Sequence, residues 1–225
     1  MLGQIGLAYL KDIIGIMLKE KDFLGTSEGG RVDLIKKHYG NSYPESLTAY
    51  MAKFDAEDFM KDVEVAIQAF EIAPEHKQNA FLDAIATFVS AEFGYRLDRL
   101  ESSFFFDPLD ERREALKNLF PGDSDLSYTM RDLFIQNTYQ ELTQKAYHLL
   151  SELKEPYTIV MQTPVEMDAD KRKAIRQAFN EKHEYVFVEF QVNPPIIGGM
   201  RVFENGKVVD HSWLAKVQAI TQLTI

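Results

Sequence analysis

The chain has 225 residues, 45% of them hydrophobic, and carries 25 Lys plus Arg against 35 Asp plus Glu, a formal net charge of −10. That is a globular composition of one or two domains. Its acidic balance disfavours nucleic acid and anionic membrane surfaces, both of which are bound through Lys and Arg, and the absence of cysteine removes disulfides, thiolate zinc sites and cysteine nucleophiles.

Met1 to Leu18 is apolar apart from Gln4, Lys11 and Asp12. It has no basic n-region and no small-residue cleavage site, and it is too short and interrupted to span a bilayer core of ~30 Å. A buried or partner-docking helix is expected there. Short helices are expected around residues 2–24, 30–38 and 44–54, broken by Gly25, Gly29-Gly30 and Gly40-Asn41. Asp55 then precedes Phe59, Val63, Ala66, Ile67 and Phe70, which lie on one face at helical spacing. Pro74 is placed to open the next helix, whose stripe runs Leu82, Ile85, Val89, Phe93 and Leu97. Asp107-Pro108 reads as an N-cap with proline at the first helical position, before a helix from Leu109 to Phe120 that Pro121-Gly122 ends. Asp123 or Ser124 caps one long helix over 123–154, carrying Leu126, Met130, Leu133, Leu142, Ala146, Leu149 and Leu153. Residues 1–155 therefore read as a bundle of six or seven helices.

After Pro156 the period changes. Thr158 to Thr163 reads as a strand, and Asp168 to His183 as a helix with Ile175, Ala178 and Phe179 on one face. Glu184 to Val192 alternates, with Val186, Val188, Phe190 and Val192 pointing one way. Met200 to Glu204 and Lys207 to Asp210 flank Asn205-Gly206, the strongest short hairpin signal, because both central residues of a type I′ turn need positive φ. Glu204 and Lys207 would then face each other, and Ser212 would cap a final helix over Trp213, Val217 and Ile220. The order β-α-β-β-β-α makes residues 156–225 a small α+β domain behind the helical one. The charge divides with it. Residues 1–155 hold 17 basic and 27 acidic groups, 17 − 27 = −10, and residues 156–225 hold 8 of each.

No catalytic constellation emerges. His38, His76, His148, His183 and His211 match no zinc spacing. Asp210-His211-Ser212 contains the residue types of a hydrolase triad, but three successive side chains diverge instead of converging. Asp123 to Ser127 opens like a calcium loop, yet Tyr128 stands where glycine must turn and Phe134 where a bidentate glutamate is needed. Gly198-Gly199 lacks a dinucleotide fingerprint and the Lys-Ser/Thr of a phosphate loop, and reads as a bulge or kink before the hairpin.

The segment Val192-Asn193-Pro194-Pro195-Ile196-Ile197-Gly198-Gly199-Met200-Arg201-Val202, followed by Gly206, Val208-Val209-Asp210-His211-Ser212 and Lys216, resembles the C-terminal signature of the F-type ATP synthase delta subunit, the mitochondrial oligomycin sensitivity-conferring protein. Ile197, Gly198, Gly199, Asn205, Gly206, Asp210, Ser212 and Lys216 are the structural hairpin motif that this resemblance marks, with no catalytic, cofactor or metal residue. The likeness covers about 70 residues, 156–225. The chain departs from the signature at Asn193, usually Asp, at Pro195, often Ser, and at Trp213, usually a small aliphatic residue and expected to be buried. Phe106-Asp107-Pro108 is similar to the family's inter-helix segment, helix 123–154 stands where its joining helix would be, and the region before Pro156 is longer than its six-helix bundle.

The resemblance implies a non-catalytic stator subunit without cofactor. It would sit peripherally on the cytoplasmic side of an inner membrane, or the matrix side in a mitochondrion, without inserting into the bilayer. The bundle would grip amphipathic N-terminal helices of alpha subunits, and the small domain would meet the C-terminal ends of b-type stalk subunits. The charge of the bundle, beside Phe81, Phe88, Phe93 and Phe104 to Phe106, suggests a groove for a partner helix with a basic rim, unless these aromatics form the core. Two other readings stand beside the stator: an adaptor of a related rotary ATPase assembly, and a small enzyme or ligand-binding protein with a polar pocket between its domains.

Overall fold

A computed structural model describes residues 1–71 and 79–222, so the expectations for Pro74 and His76 lie outside the described residues. Among the described residues nine α-helical segments precede Pro156: α1 (Leu2–Lys19), α2 (Glu28–Tyr39), α3 (Glu45–Lys53), α4 (Ala56–Glu71), α5 (Ala80–Thr87), α6 (Gly94–Asp98), α7 (Leu109–Leu119), α8 (Asp125–Gln136) and α9 (Tyr139–Leu153). A π turn, Phe88–Phe93, carries α5 into α6. Then follow β1 (Tyr157–Thr163), α10 (Ala169–Asn180), β2 (Val186–Val192), β3 (Arg201–Glu204), β4 (Lys207–Asp210) and α11 (Trp213–Gln222). The fold is α+β, as the change of period at Pro156 implies.

Local chemistry explains where the boundaries differ from expectation. Gly29-Gly30 does not break the chain. Both glycines lie in the first turn of α2, where the Gly30 amide donates to the N-cap Ser27 hydroxyl at 3.4 Å. Pro108, not Asp107, is the N-cap of α7, one residue later than expected. The single helix over 123–154 is two. Thr138 and Glu141 form a capping box, with the Glu141 amide donating to Thr138 Oγ1 at 3.3 Å and the Thr138 amide donating to Glu141 Oε2 at 2.8 Å. These bonds satisfy amides that a helix start leaves without partners, so α9 begins afresh. Asn137 closes the other side by donating to the Leu133 carbonyl at 2.7 Å.

The core is built around α1. Ile5, Tyr9, Ile13 and Ile16 are fully buried on one face, and the Tyr9 ring stacks on Phe81 with centroids 5.0 Å apart. Asp12 lies on that same buried side. Its carboxylate accepts the amides of Asp125 at 2.8 Å and Leu126 at 3.2 Å and the Tyr43 hydroxyl at 3.0 Å. Ser124 takes the next amide, of Ser127, at 3.0 Å. The first turn of α8 is thus satisfied by two caps, one of them supplied from a helix 113 residues away. The stripe expected from Leu82 to Leu97 is buried throughout, across α5, the π turn and α6. On α4, Phe59 and Ala66 are buried but Ile67 faces outward.

The sheet has the order β2-β1-β3-β4, with β1 and β2 parallel across the α10 crossover and the other pairs antiparallel. Ile159, Met161, Val186 and Val188 form its small core, covered by Ile175 and Phe179 of α10. Ala178 is exposed, and burial fades along β2 until Val192 is exposed as well. Phe187, on the opposite face of β2, joins the helical core instead and meets the Tyr147 ring of α9 at 5.4 Å.

Burial raises the Asp12 carboxyl from its ordinary 3.8 to about 6, against the pull of its hydrogen bonds from Leu126, Asp125 and Tyr43. A carboxyl whose pKa rises on folding contributes stability that is fully present below about pH 3.8 and lost as the pH rises through about 6. Urea unfolding across pH 4 to 7 should therefore show wild type gaining stability over Asp12→Asn as the pH falls. A pH-independent difference would contradict the assignment.

Candidate functional site

The eight motif residues occupy three places. Gly198, Gly199, Asp210 and Ser212 meet at the foot of the β3–β4 hairpin. The Trp213 amide donates to the Gly198 carbonyl at 2.8 Å, and the His211 amide to Met200 at 2.9 Å. Gly199 has φ +76°, and a Cβ there would lie 2.3 Å from the His211 carbonyl oxygen. A Cβ on Gly198 would press on the Trp213 ring at 3.1 Å. Asp210 accepts the Ser212 amide at 2.9 Å and the Arg201 Nε at 2.8 Å. Hydrogen bonds from Ser212, backed by Arg201, hold its carboxyl down to about 2. Ser212 is fully buried and caps α11 by accepting the Ala215 amide at 3.1 Å.

Asn205 and Gly206 form the hairpin tip with φ of 46° and 83°, and Glu204 pairs with Lys207 in register. Lys216 is exposed on α11. Ile197 is more unusual. The Gly198 amide donates to the Ile196 carbonyl at 2.8 Å, which closes a γ-turn around Ile197 at φ 69°, ψ −47°. This turn is rare and strained, and more so for a β-branched residue. It leaves the Ile197 side chain 68% exposed, and Trp213, expected to be buried, is 62% exposed. The tryptophan lies on the surface because its ring packs over the backbone of Gly198 rather than into the sheet core.

A second feature lies on the helical part. Ala49 and Tyr50 of α3, its C-cap Phe54, Val65 of α4 and Ala80 of α5 line a groove of about 670 Å³. Asp58, Asp62 and Asp83 stand on its rim with Lys53 and Lys61. Asp62 accepts the Tyr50 hydroxyl at 2.9 Å, and Lys61 is turned to Glu57 at 2.7 Å. Burial, with Asp62 alongside, raises the Tyr50 pKa far above the ordinary range and keeps its hydroxyl a donor. Most of the phenylalanines suspected of lining a groove do not. Phe81, Phe88, Phe93 and Phe104 are core residues, and Phe106 is exposed.

A cleft of about 480 Å³ lies between the first turn of α10 and the helical part, lined by Glu92, Arg96, Asp98, Arg99, Asp170 and Lys173 among others. Several of its charges already serve the fold. Glu92 accepts the Glu45 and Ser46 amides at 3.1 and 3.0 Å, and Arg96 donates to the carbonyls of Leu119 and Ser42 at 2.9 and 2.8 Å. Asp98 pairs with Arg176. The histidines are dispersed: His38 meets Glu20 at 2.7 Å, His148 faces Glu152, and His183 stacks on Tyr157. Among the described residues no group of three or more His, Asp or Glu is placed to hold a metal ion.

Reading the sequence missed Asp98, Arg172 and Arg176, all buried. The available signal was the i, i+4 spacing of the two arginines on α10, beside the apolar stripe of Ile175 and Phe179.

A family model, ATP synthase delta (OSCP) subunit, matches residues 108–223, which take in α7 to α11 and the whole sheet. The chain belongs to that family. The match covers more than the hairpin signature and reaches back through α7, α8 and α9. No individual curated protein matches the chain. Family membership makes it a peripheral-stalk subunit of an F-type ATP synthase, a structural stator component that associates with other subunits of the synthase. Such subunits are membrane-associated peripherally, and no helix among the described residues is long and apolar enough to cross a membrane.

The glycines of the motif should differ in tolerance. Gly206→Ala should cost about 1 kcal/mol, from positive φ alone, because a Cβ there meets nothing within 4 Å. Gly199→Val should cost clearly more, because it adds a collision with the His211 carbonyl. Thermal unfolding of both variants checks the order, and equal losses would contradict it.

Proposed function

We propose that this stator subunit ties the catalytic head to the b-type peripheral stalk and holds the head still against rotor torque. The supporting observation is the family match across 108–223, whose hairpin foot carries the exposed Ile197 and Trp213. In this reading the chain divides at Pro156. Residues 1–155 face the head, and residues 156–225 face the stalk, where Ile197 and Trp213 dock on the C-terminal ends of b-type subunits. The membrane side is the cytoplasmic one, or the matrix side in a mitochondrion.

The groove between α3, α4 and α5 is the seat for an amphipathic N-terminal helix of alpha. Its apolar floor of Ala49, Tyr50, Phe54 and Val65 suits the apolar face of such a helix, and its carboxylate rim favours Lys or Arg alongside. Such a contact needs shape and charge complementarity and no chemistry.

Titrating the full chain with labelled N-terminal peptides of alpha tests the groove. Saturable binding that weakens with added salt is expected, and Asp58→Lys should weaken it by about tenfold. Absence of saturable binding, or an unchanged affinity in the variant, would contradict the assignment.

A further inference from the structure

We infer that the helical part and the sheet part are locked into one rigid body by two arginines of α10 that grip a single residue, Asp98. The Arg176 guanidinium pairs with the Asp98 carboxylate through Nε and Nη2. One turn earlier, Arg172 Nη2 donates to the Asp98 backbone carbonyl at 2.8 Å. Asp98 is 1% exposed, Arg176 4% and Arg172 7%, so the grip is out of water. Opening it would have to break the two-pronged ion pair and the hydrogen bond to the Asp98 carbonyl together.

The surroundings are shaped to hold the guanidinium. The Arg176 group lies 5.2 Å from the Phe190 ring centroid on β2, and it packs on the backbone of Gly94, where a Cβ would come within 2.7 Å of Nη1. A second set of contacts lies between other elements of the two parts. The Lys154 amine, at the end of α9, pairs with Asp83 of α5 at 2.6 Å and stands 5.0 Å from the Tyr185 ring centroid just before β2. Phe187 meets Tyr147 of α9. Rotation about Glu155-Pro156 would have to break both sets together.

For a stator the consequence is that the head-facing groove and the stalk-facing hairpin keep a fixed relative orientation. That consequence rests on the stator reading, whereas the lock does not, and its test needs no partner subunit. The chain has no cysteine, so Glu111→Cys on α7 and Lys207→Cys on β4, both exposed, give a unique spin-labelled pair in the full chain. Double electron–electron resonance should give a single narrow distance distribution. Adding Arg176→Ala should broaden it by about twofold or more. Gly94→Ala should broaden it as well, since it favours helix while displacing the guanidinium, and it decides the matter if Arg176→Ala fails to fold. A broad distribution in the labelled chain without either change would overturn the inference. A width that Gly94→Ala leaves unchanged would overturn it too.

Discussion

The grip of α10 on Asp98 fixes where the sheet sits, and the functional surfaces take their positions from it. A buried ion pair adds little net stability compared with apolar side chains of equal volume, but losing one partner costs about 3–5 kcal/mol. Its main effect is therefore on geometry. The π turn Phe88–Phe93 precedes α6, Gly94 leaves room for the Arg176 guanidinium, and Asp98 ends the helix with its carboxylate and carbonyl both taken by α10. The parallel β1–β2 pair follows from the α10 crossover, and β3, β4 and α11 build outward from β1.

Several carboxylates in the acidic half do similar structural work. Asp12 takes amides at the start of α8, Glu92 takes those of α3, Glu141 completes the capping box of α9, and Asp55 accepts the Asp58 amide in the first turn of α4. Each places negative charge at the positive end of a helix dipole, where it is favoured. Part of the net charge of −10 is thus internal architecture, and the remainder includes the rim of the α3–α4–α5 groove.

How much could be read from the sequence depended on whether the signal was local. The Asn205-Gly206 turn, the Ser212 cap and the β-α-β-β-β-α order are set by neighbours in the chain, and they were legible. The division of the 123–154 helix was also local, in the Thr138–Glu141 box, but the apolar period runs through it and masks the break. The Asp98 grip spans 78 residues, and nothing near Asp98 distinguishes it from a surface acid. Trp213 misled for a related reason, since a large aromatic after a strand suggests burial until the bare backbone of Gly198 is seen to supply its packing surface. Of the site, the hairpin foot was readable as a motif, whereas the exposure of Ile197 depends on a γ-turn that no spacing rule signals.

The central claim is that this chain works as a stator component within a synthase, and its company in the membrane tests that most directly. Affinity purification of the tagged full chain from its native membranes, followed by quantitative mass spectrometry, should recover alpha, beta and b-type subunits in fixed proportion to it. Recovery of the chain without them, from membranes whose synthase is intact, would contradict the account.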